Sequence, residues 1–177
     1  MSDLADLNQL LDFLGRPDSA EIIAADKLPA VYATLLAHSR HMTVALEEFW
    51  KSPVSVHVLH HEENTHLYTR RIVLRTPSGT NVEYGAVQIN FDLCPSEVAQ
   101  EIRAQPPPLG RILINHGVMT HVEPRHFLRI TPSSKNIETL GLNDQATLFG
   151  RFATIAFNGQ PAMTVVEIMP SGLEDSE

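Results

Sequence analysis

The side chains in this sequence best placed for chemistry are charged groups set inside apolar strands. Arg70 and Arg71 interrupt Leu67-Tyr68-Thr69-Arg70-Arg71-Ile72-Val73-Leu74, and Glu167 interrupts Thr164-Val165-Val166-Glu167-Ile168-Met169. Successive side chains of a strand face opposite sides. Arg70 therefore shares a face with Ile72 and Leu74, Arg71 with Val73, and Glu167 with Met163 and Val165. A charged group is seldom buried without a partner. Two explanations fit: an edge strand with these charges at its rim, or an interior pocket for an anion. A buried arginine can grip a carboxylate through two parallel hydrogen bonds, which lysine cannot match. A glutamate in the same enclosure could give up a proton or bind a hydroxyl. Desolvation would raise its pKa and a nearby arginine would lower it. A proton donor needs the first effect to win.

Other chemistries have weaker support. The densest of the nine histidines are His57, His60, His61 and His66, beside Glu62 and Glu63. Their spacing matches no zinc motif and HExxH is absent, so no metal is expected. The run His60-His61-Glu62-Glu63-Asn64 has the composition of an exposed loop. His116, His121 and His126 lie near strand ends and are expected to be structural or exposed. Cys94 is the single cysteine, which excludes an internal disulfide and fits a reducing cytoplasm. It is expected to be a small buried thiol rather than a nucleophile. No GxGxxG, Walker or GxSxG pattern occurs. The formal net charge of -8 disfavours nucleic acid as a partner, and no basic cluster exceeds Arg70-Arg71. Asp3 and Asp6 at the start argue against a signal peptide. No run approaches the roughly 18 apolar residues of a membrane span. A cytoplasmic domain with no membrane or nucleic-acid partner is the expectation.

The elements that must hold these residues read as helices first, then strands. Leu4, Leu7, Leu10, Leu11 and Leu14 form a helical stripe broken near Pro17. Leu28-Pro29 opens a second helix, with Val31, Leu35 and Leu36 inward, and Thr43 caps a third through Leu46, Phe49 and Trp50. Strands are expected at 55–59, 67–74 and 82–89. Ser96 then caps a helix with Val98 and Ile102 inward, stopped by Pro106-Pro107-Pro108. A helical turn over 109–113 ends at Gly117. Strands follow at 118–122 and 127–131. Asn158-Gly159 closes a hairpin between 152–157 and 162–169 through a type I′ turn. The acidic tail, 172–177, is expected to fray. Strands in sequence with one helical insertion indicate an α+β domain with an antiparallel sheet, spanning 1–177.

The same segments resemble the chorismate lyase family, in particular its archaeal, cyanobacterial and mycobacterial branch. Four motifs carry the likeness, in order. They are His41-Met42-Thr43; Tyr68 to Leu74 followed by Val82-Glu83-Tyr84-Gly85; Pro108-Leu109-Gly110-Arg111-Ile112-Leu113; and Gly159-Gln160-Pro161 leading to Val166-Glu167-Ile168-Met169-Pro170. They cover roughly residues 28–170, the size of a domain.

The resemblance implies helices covering an internal ligand cavity in an antiparallel sheet. It implies chorismate as substrate, 4-hydroxybenzoate and pyruvate as products, and no cofactor. By motif position the substrate-binding residues are Met42, Arg70, Leu109 and Glu167, with Glu167 and Arg70 catalytic and Arg71 the rival of Arg70. One departure stands out: Ala86 follows Gly85 where the enterobacterial branch has arginine. Arg111 or a histidine is then the candidate second anion contact. Two alternatives remain open. One is a non-catalytic sensing domain, since effector-binding domains of some bacterial regulators share this fold. The other is a related enzyme giving 3-hydroxybenzoate. The oligomeric state is left open.

Overall fold

The computed structural model describes residues 2–142 and 146–175. Of the tail expected to fray, residues 176 and 177 lie outside the described residues, and 173–175 form a single helical turn. The chain runs α1 (Asp3–Phe13), β1 (Ser19–Ile23), α2 (Ala30–Leu36), α3 (Met42–Trp50), β2 (Ser55–Glu63), β3 (Leu67–Arg75) and β4 (Asn81–Asn90). Then follow α4 (Ser96–Arg103), α5 (Leu109–Asn115), β5 (Thr120–Thr131), α6 (Ser134–Leu140), β6 (Leu148–Phe157) and β7 (Gln160–Met169). The strands make one seven-stranded sheet, ordered β1-β5-β6-β7-β4-β3-β2, with every pairing antiparallel. The expected α+β class with an antiparallel sheet is what the chain adopts.

Helices cover both faces of this sheet, which is why β3, β4, β6 and β7 are apolar on both sides. On one face Leu7, Leu10, Leu11 and Leu14 of the first helical segment pack with Leu140 of α6 onto Val73, Tyr84, Phe152, Val166 and Ile168. The other face carries two separate cores. Val98 and Ile102 of α4 and Ile112 and Leu113 of α5 cover Val87, Ile155 and Val165. Leu35 and Leu36 of α2 and Met42, Ala45 and Leu46 of α3 cover Ile72, Leu74 and Met169. Helices α3 and α5 come close where they meet. A Cβ on Gly110 would stand 2.8 Å from Thr43 Oγ1 and 3.1 Å from His41 Cβ, so glycine is what permits the approach.

Several expectations need correction. The polar run 60–63 is not a loop: β2 continues to Glu63, pairing His61 with Arg70 and Glu63 with Tyr68. It is an outer strand, where polar side chains are compatible with backbone pairing. The strands expected at 118–122 and 127–131 are one strand, β5, with an irregularity between Pro124 and His126. Strand β1 covers β5 only along 127–131, so Pro124 lies beyond it, at a bulge on an uncovered stretch of strand, where proline is tolerated. Thr43 and Ser96 are not caps. His41 and Pro95 hold those positions, and Thr43 is buried within α3. Leu4 is exposed rather than part of the buried stripe. Strand β1 and helix α6 were unanticipated, so helices interrupt the strands at three places, α2–α3, α4–α5 and α6, not one. The final hairpin forms as expected, with Asn158 at φ 48° and Gly159 at φ 81°.

Candidate functional site

The seam between the two cores on the second face is not filled. It holds a cavity of about 60 Å³ lined by apolar groups including Met42, Ile72, Leu109, Val122 and Val165, together with Arg70, Glu83, Arg151 and Glu167. The sheet register fixes how these four charges are arranged. Arg70 lies opposite Val87, which lies opposite Val165. One same-face row along, Ile72, Gly85, Glu167 and Arg151 stand side by side across β3, β4, β7 and β6. One row further, Glu83 pairs with Leu74. Same-face rows are ~7 Å apart, so the backbones of Arg70 and Glu83 stand at the two ends of a span of ~14 Å along the strands.

All four charged residues are buried: Arg151 is 0% exposed, Arg70 1%, Glu83 4% and Glu167 7%. Arg151 is fully engaged. Its Nε donates to Glu167 Oε2 at 2.5 Å, Nη1 to the carbonyls of Leu36 (3.1 Å) and His38 (2.7 Å), and Nη2 to that of Arg40 (3.3 Å). It ties β7 to the loop between α2 and α3. Arg70 is the opposite case. Its Nη1 makes a long bond to Ile102 O at 3.4 Å, and its Nε is buried with no hydrogen-bond partner among the described residues. Burial pulls the Arg70 pKa down, with Tyr68 beside it opposing. A buried guanidinium left so incompletely bonded is strongly disfavoured unless an anion joins it.

The carboxyls are likewise unlike each other. Glu167 is held in the ion pair with Arg151. Glu83 Oε2 is buried with no partner among the described residues. Burial, and then the charge of Glu167, push the Glu83 carboxyl well above the ordinary glutamate range, with Arg151 opposing. Both effects favour the protonated, neutral form of Glu83. At the cavity wall, His41 Nε2 meets Thr120 Oγ1 at 2.8 Å. Burial lowers the His41 pKa, so its ring is uncharged.

Met42, Arg70, Leu109 and Glu167, which the sequence places far apart, all line this one cavity. Arg71 does not. It points to the other face and donates to Phe13 O at 2.8 Å. Arg111 is also elsewhere, paired with Glu47 on α3 and partly exposed. The second arginine of the cavity is Arg151, which sequence reasoning missed by starting its strand at Phe152. Extending the strand three residues back would have shown a charge inside Phe149-Gly150-Arg151-Phe152, the same signal that singled out Glu167. Sequence reasoning assigns no role to Glu83, although it too interrupts an apolar strand. The histidines of β2 and its turn have local partners instead: His60 meets Glu62 at 3.1 Å and His66 meets Asp92 at 2.6 Å. Among the described residues no group of three or more His, Cys, Asp or Glu side chains is placed to hold a metal ion. Burial pushes the Cys94 thiol up to about 11, which keeps it protonated and inert.

No protein-family model matches the chain, and no curated protein matches it in sequence. Solved structures do share its fold. PhnF from Mycobacterium smegmatis superposes with a TM-score of 0.55 at 11% identity, covering 73% of this chain and 63% of PhnF. A candidate regulator from Escherichia coli CFT073 gives 0.52 at 11% identity, covering 67% of this chain and 96% of that one. The ligand-binding domain of a candidate GntR-family transcriptional regulator from Bordetella bronchiseptica gives 0.51 at 12% identity, covering 67% and 86%. At these identities the likeness establishes the fold, which is the chorismate lyase-like fold. No helix among the described residues is long and apolar enough to cross a membrane.

Proposed function

We propose that the cavity binds chorismate and eliminates its enolpyruvyl group, giving 4-hydroxybenzoate and pyruvate. The observation that carries this reading is Arg70: a buried guanidinium with an unbonded Nε, facing an apolar chamber that also holds two carboxyls of opposite character. Arg70 grips the ring carboxylate. Met42 and Leu109 are apolar walls that exclude water. The carboxyls at the far end act on the ether and on the ring carbon that loses hydrogen. Aromatisation supplies the driving force, so the chemistry asks for positioning and proton transfer rather than for redox equivalents or a Lewis acid. Arg70, Glu167, Met42 and Leu109 are the binding residues in this proposal, with Arg70 and Glu167 also catalytic.

A second reading has its own support. The Bordetella neighbour is a ligand-binding domain of a regulator, and the same pocket with no turnover would be a small-molecule sensor. Incubation with chorismate, followed by chromatography of the aromatic products, separates the two. We expect 4-hydroxybenzoate and pyruvate in equal amounts. Tight binding without product would establish the sensor, and 3-hydroxybenzoate would establish a related enzyme with a shifted hydroxyl.

A further inference from the structure

The second buried carboxyl has no role in the binding residues named so far, and its surroundings are unlike those of Glu167. Glu83 stands on β4 with its side chain on the cavity face, 4% exposed, and its Oε2 has no hydrogen-bond partner among the described residues. A buried polar atom with no partner loses its hydration without compensation, and such a defect persists where function needs it. Gly85, next on the same face, leaves the floor beside it low; its missing Cβ would stand 3.1 Å from Glu83 Oε1. Across that floor, Glu167 is engaged by Arg151, so its paired oxygen is an acceptor and not a donor.

We infer that Glu83, rather than Glu167, is the proton donor of the cavity, and that Glu167 in the grip of Arg151 is the proton acceptor. This rests on the lyase reading above. As the ring carbon–oxygen bond breaks, its electron pair leaves with the ether oxygen, and the Glu83 O–H bond breaks to form a new O–H bond there. The ring carbon–hydrogen bond breaks at the adjacent carbon, its electron pair completes the aromatic ring, and the proton passes to the Glu167 carboxylate. The released enol becomes pyruvate by tautomerisation. Return of the proton from Glu167 to Glu83 restores the starting state, so nothing is consumed but chorismate.

The charge environment supports this division of labour. The groups facing Glu83 are Glu167 from β7, Arg151 from β6, Arg70 from β3 and His41 at the start of α3, with His38 beside Arg151. Burial and the Glu167 charge keep the Glu83 proton in place. Burial lowers the pKa of both histidines, so neither supplies a competing proton at neutral pH.

The test compares the wild-type chain with Glu83→Gln, which preserves shape and removes the transferable proton. Turnover of chorismate should fall by about 10²–10⁴-fold, the ordinary worth of a general acid. Affinity for 4-hydroxybenzoate, measured by calorimetry, should change less than about threefold, which also shows that the variant is folded. The wild-type kcat/KM should decline at high pH as Glu83 ionises, and this limb should be missing from the residual activity of Glu83→Gln. Infrared spectra at neutral pH should show a protonated carboxyl band in the wild type that Glu83→Gln lacks. An active wild type with an equally active Glu83→Gln overturns the role of Glu83 alone. A wild type that binds chorismate without converting it overturns the lyase reading and the donor role with it. Should Glu83→Gln fail to fold, the infrared band and high-pH limb of the wild type decide: absence of either overturns the assignment.

Discussion

The difference between Arg70 and Arg71 shows how much one residue of alternation decides. The two are adjacent, and the Nε of each is unpartnered among the described residues, yet Arg71 is only partly buried and backs onto α1 through Phe13 O, whereas Arg70 is 1% exposed and lines the cavity. Arg70→Ala should weaken 4-hydroxybenzoate binding by roughly 10- to 100-fold, the equivalent of about 1.5–3 kcal/mol for a charge-assisted contact. Arg70→Lys should not restore it, because an ammonium lacks the planar fork. Arg71→Ala should leave affinity unchanged. Titration calorimetry reads all three, and a loss confined to Arg71→Ala would move the anion contact to the opposite face. At this scale the informative signal was a charge interrupting an apolar strand, although Glu83, inside a strand whose limits were correctly drawn, was passed over. Glu167 was found that way. Arg151 was lost because Leu148-Phe149-Gly150 contains a glycine, which made the strand start look later than it is.

Among the elements, those with strong periodicity were legible and those held by tertiary pairing were not. The leucines of α1 and the Asn158-Gly159 hairpin carry their own local signals. Strand β1, Ser19–Ile23, has mostly exposed side chains and owes its conformation to pairing with β5. The His60–Glu63 end of β2 is polar for the same reason: backbone bonds to β3, not side-chain burial, hold it extended. Helix α6 has only seven residues, and its local start signal is Ser133, whose Oγ accepts from Asn136 N at 2.9 Å. The α3–α5 contact permits a sharper test. Glycine to a larger residue usually favours a helix. At Gly110 the sign should reverse, because Thr43 Cβ at 3.2 Å and His41 Cβ at 3.1 Å cannot rotate away as a hydroxyl can. Gly110→Val should lower stability in urea by about 1–3 kcal/mol. No loss would mean that the two helices separate without cost.

For the molecule as a whole, a buried neutral carboxyl makes stability depend on pH. The folded chain keeps a proton on Glu83 that the unfolded chain releases above the ordinary glutamate range, ~4.3. Between that value and the raised folded value, folding binds a proton. Stability from this group is therefore complete at low pH and is lost as pH rises, by up to ~1.4 kcal/mol per pH unit. Denaturant melts of Glu83→Gln should diverge from the wild type across that window, with the variant the more stable at neutral pH. Parallel curves would mean that Glu83 titrates normally in the fold. Fold class was accessible from the hydrophobic pattern, whereas Met42, Arg70, Leu109 and Glu167, which line one cavity, were singled out together only by the family resemblance. The seam between two cores was not, since it depends on where four helices stop relative to one another.

Arg151 joins two parts of the chamber wall. The same guanidinium that clasps Glu167 also ties down the backbone of Leu36, His38 and Arg40. Whatever disturbs the clasp on one side is felt on the other. A guest that draws Glu167 away would slacken the rim of its own chamber, and by reciprocity a rim already slack would admit that guest more readily. Entry, retention and escape are thus set against one another through a single side chain.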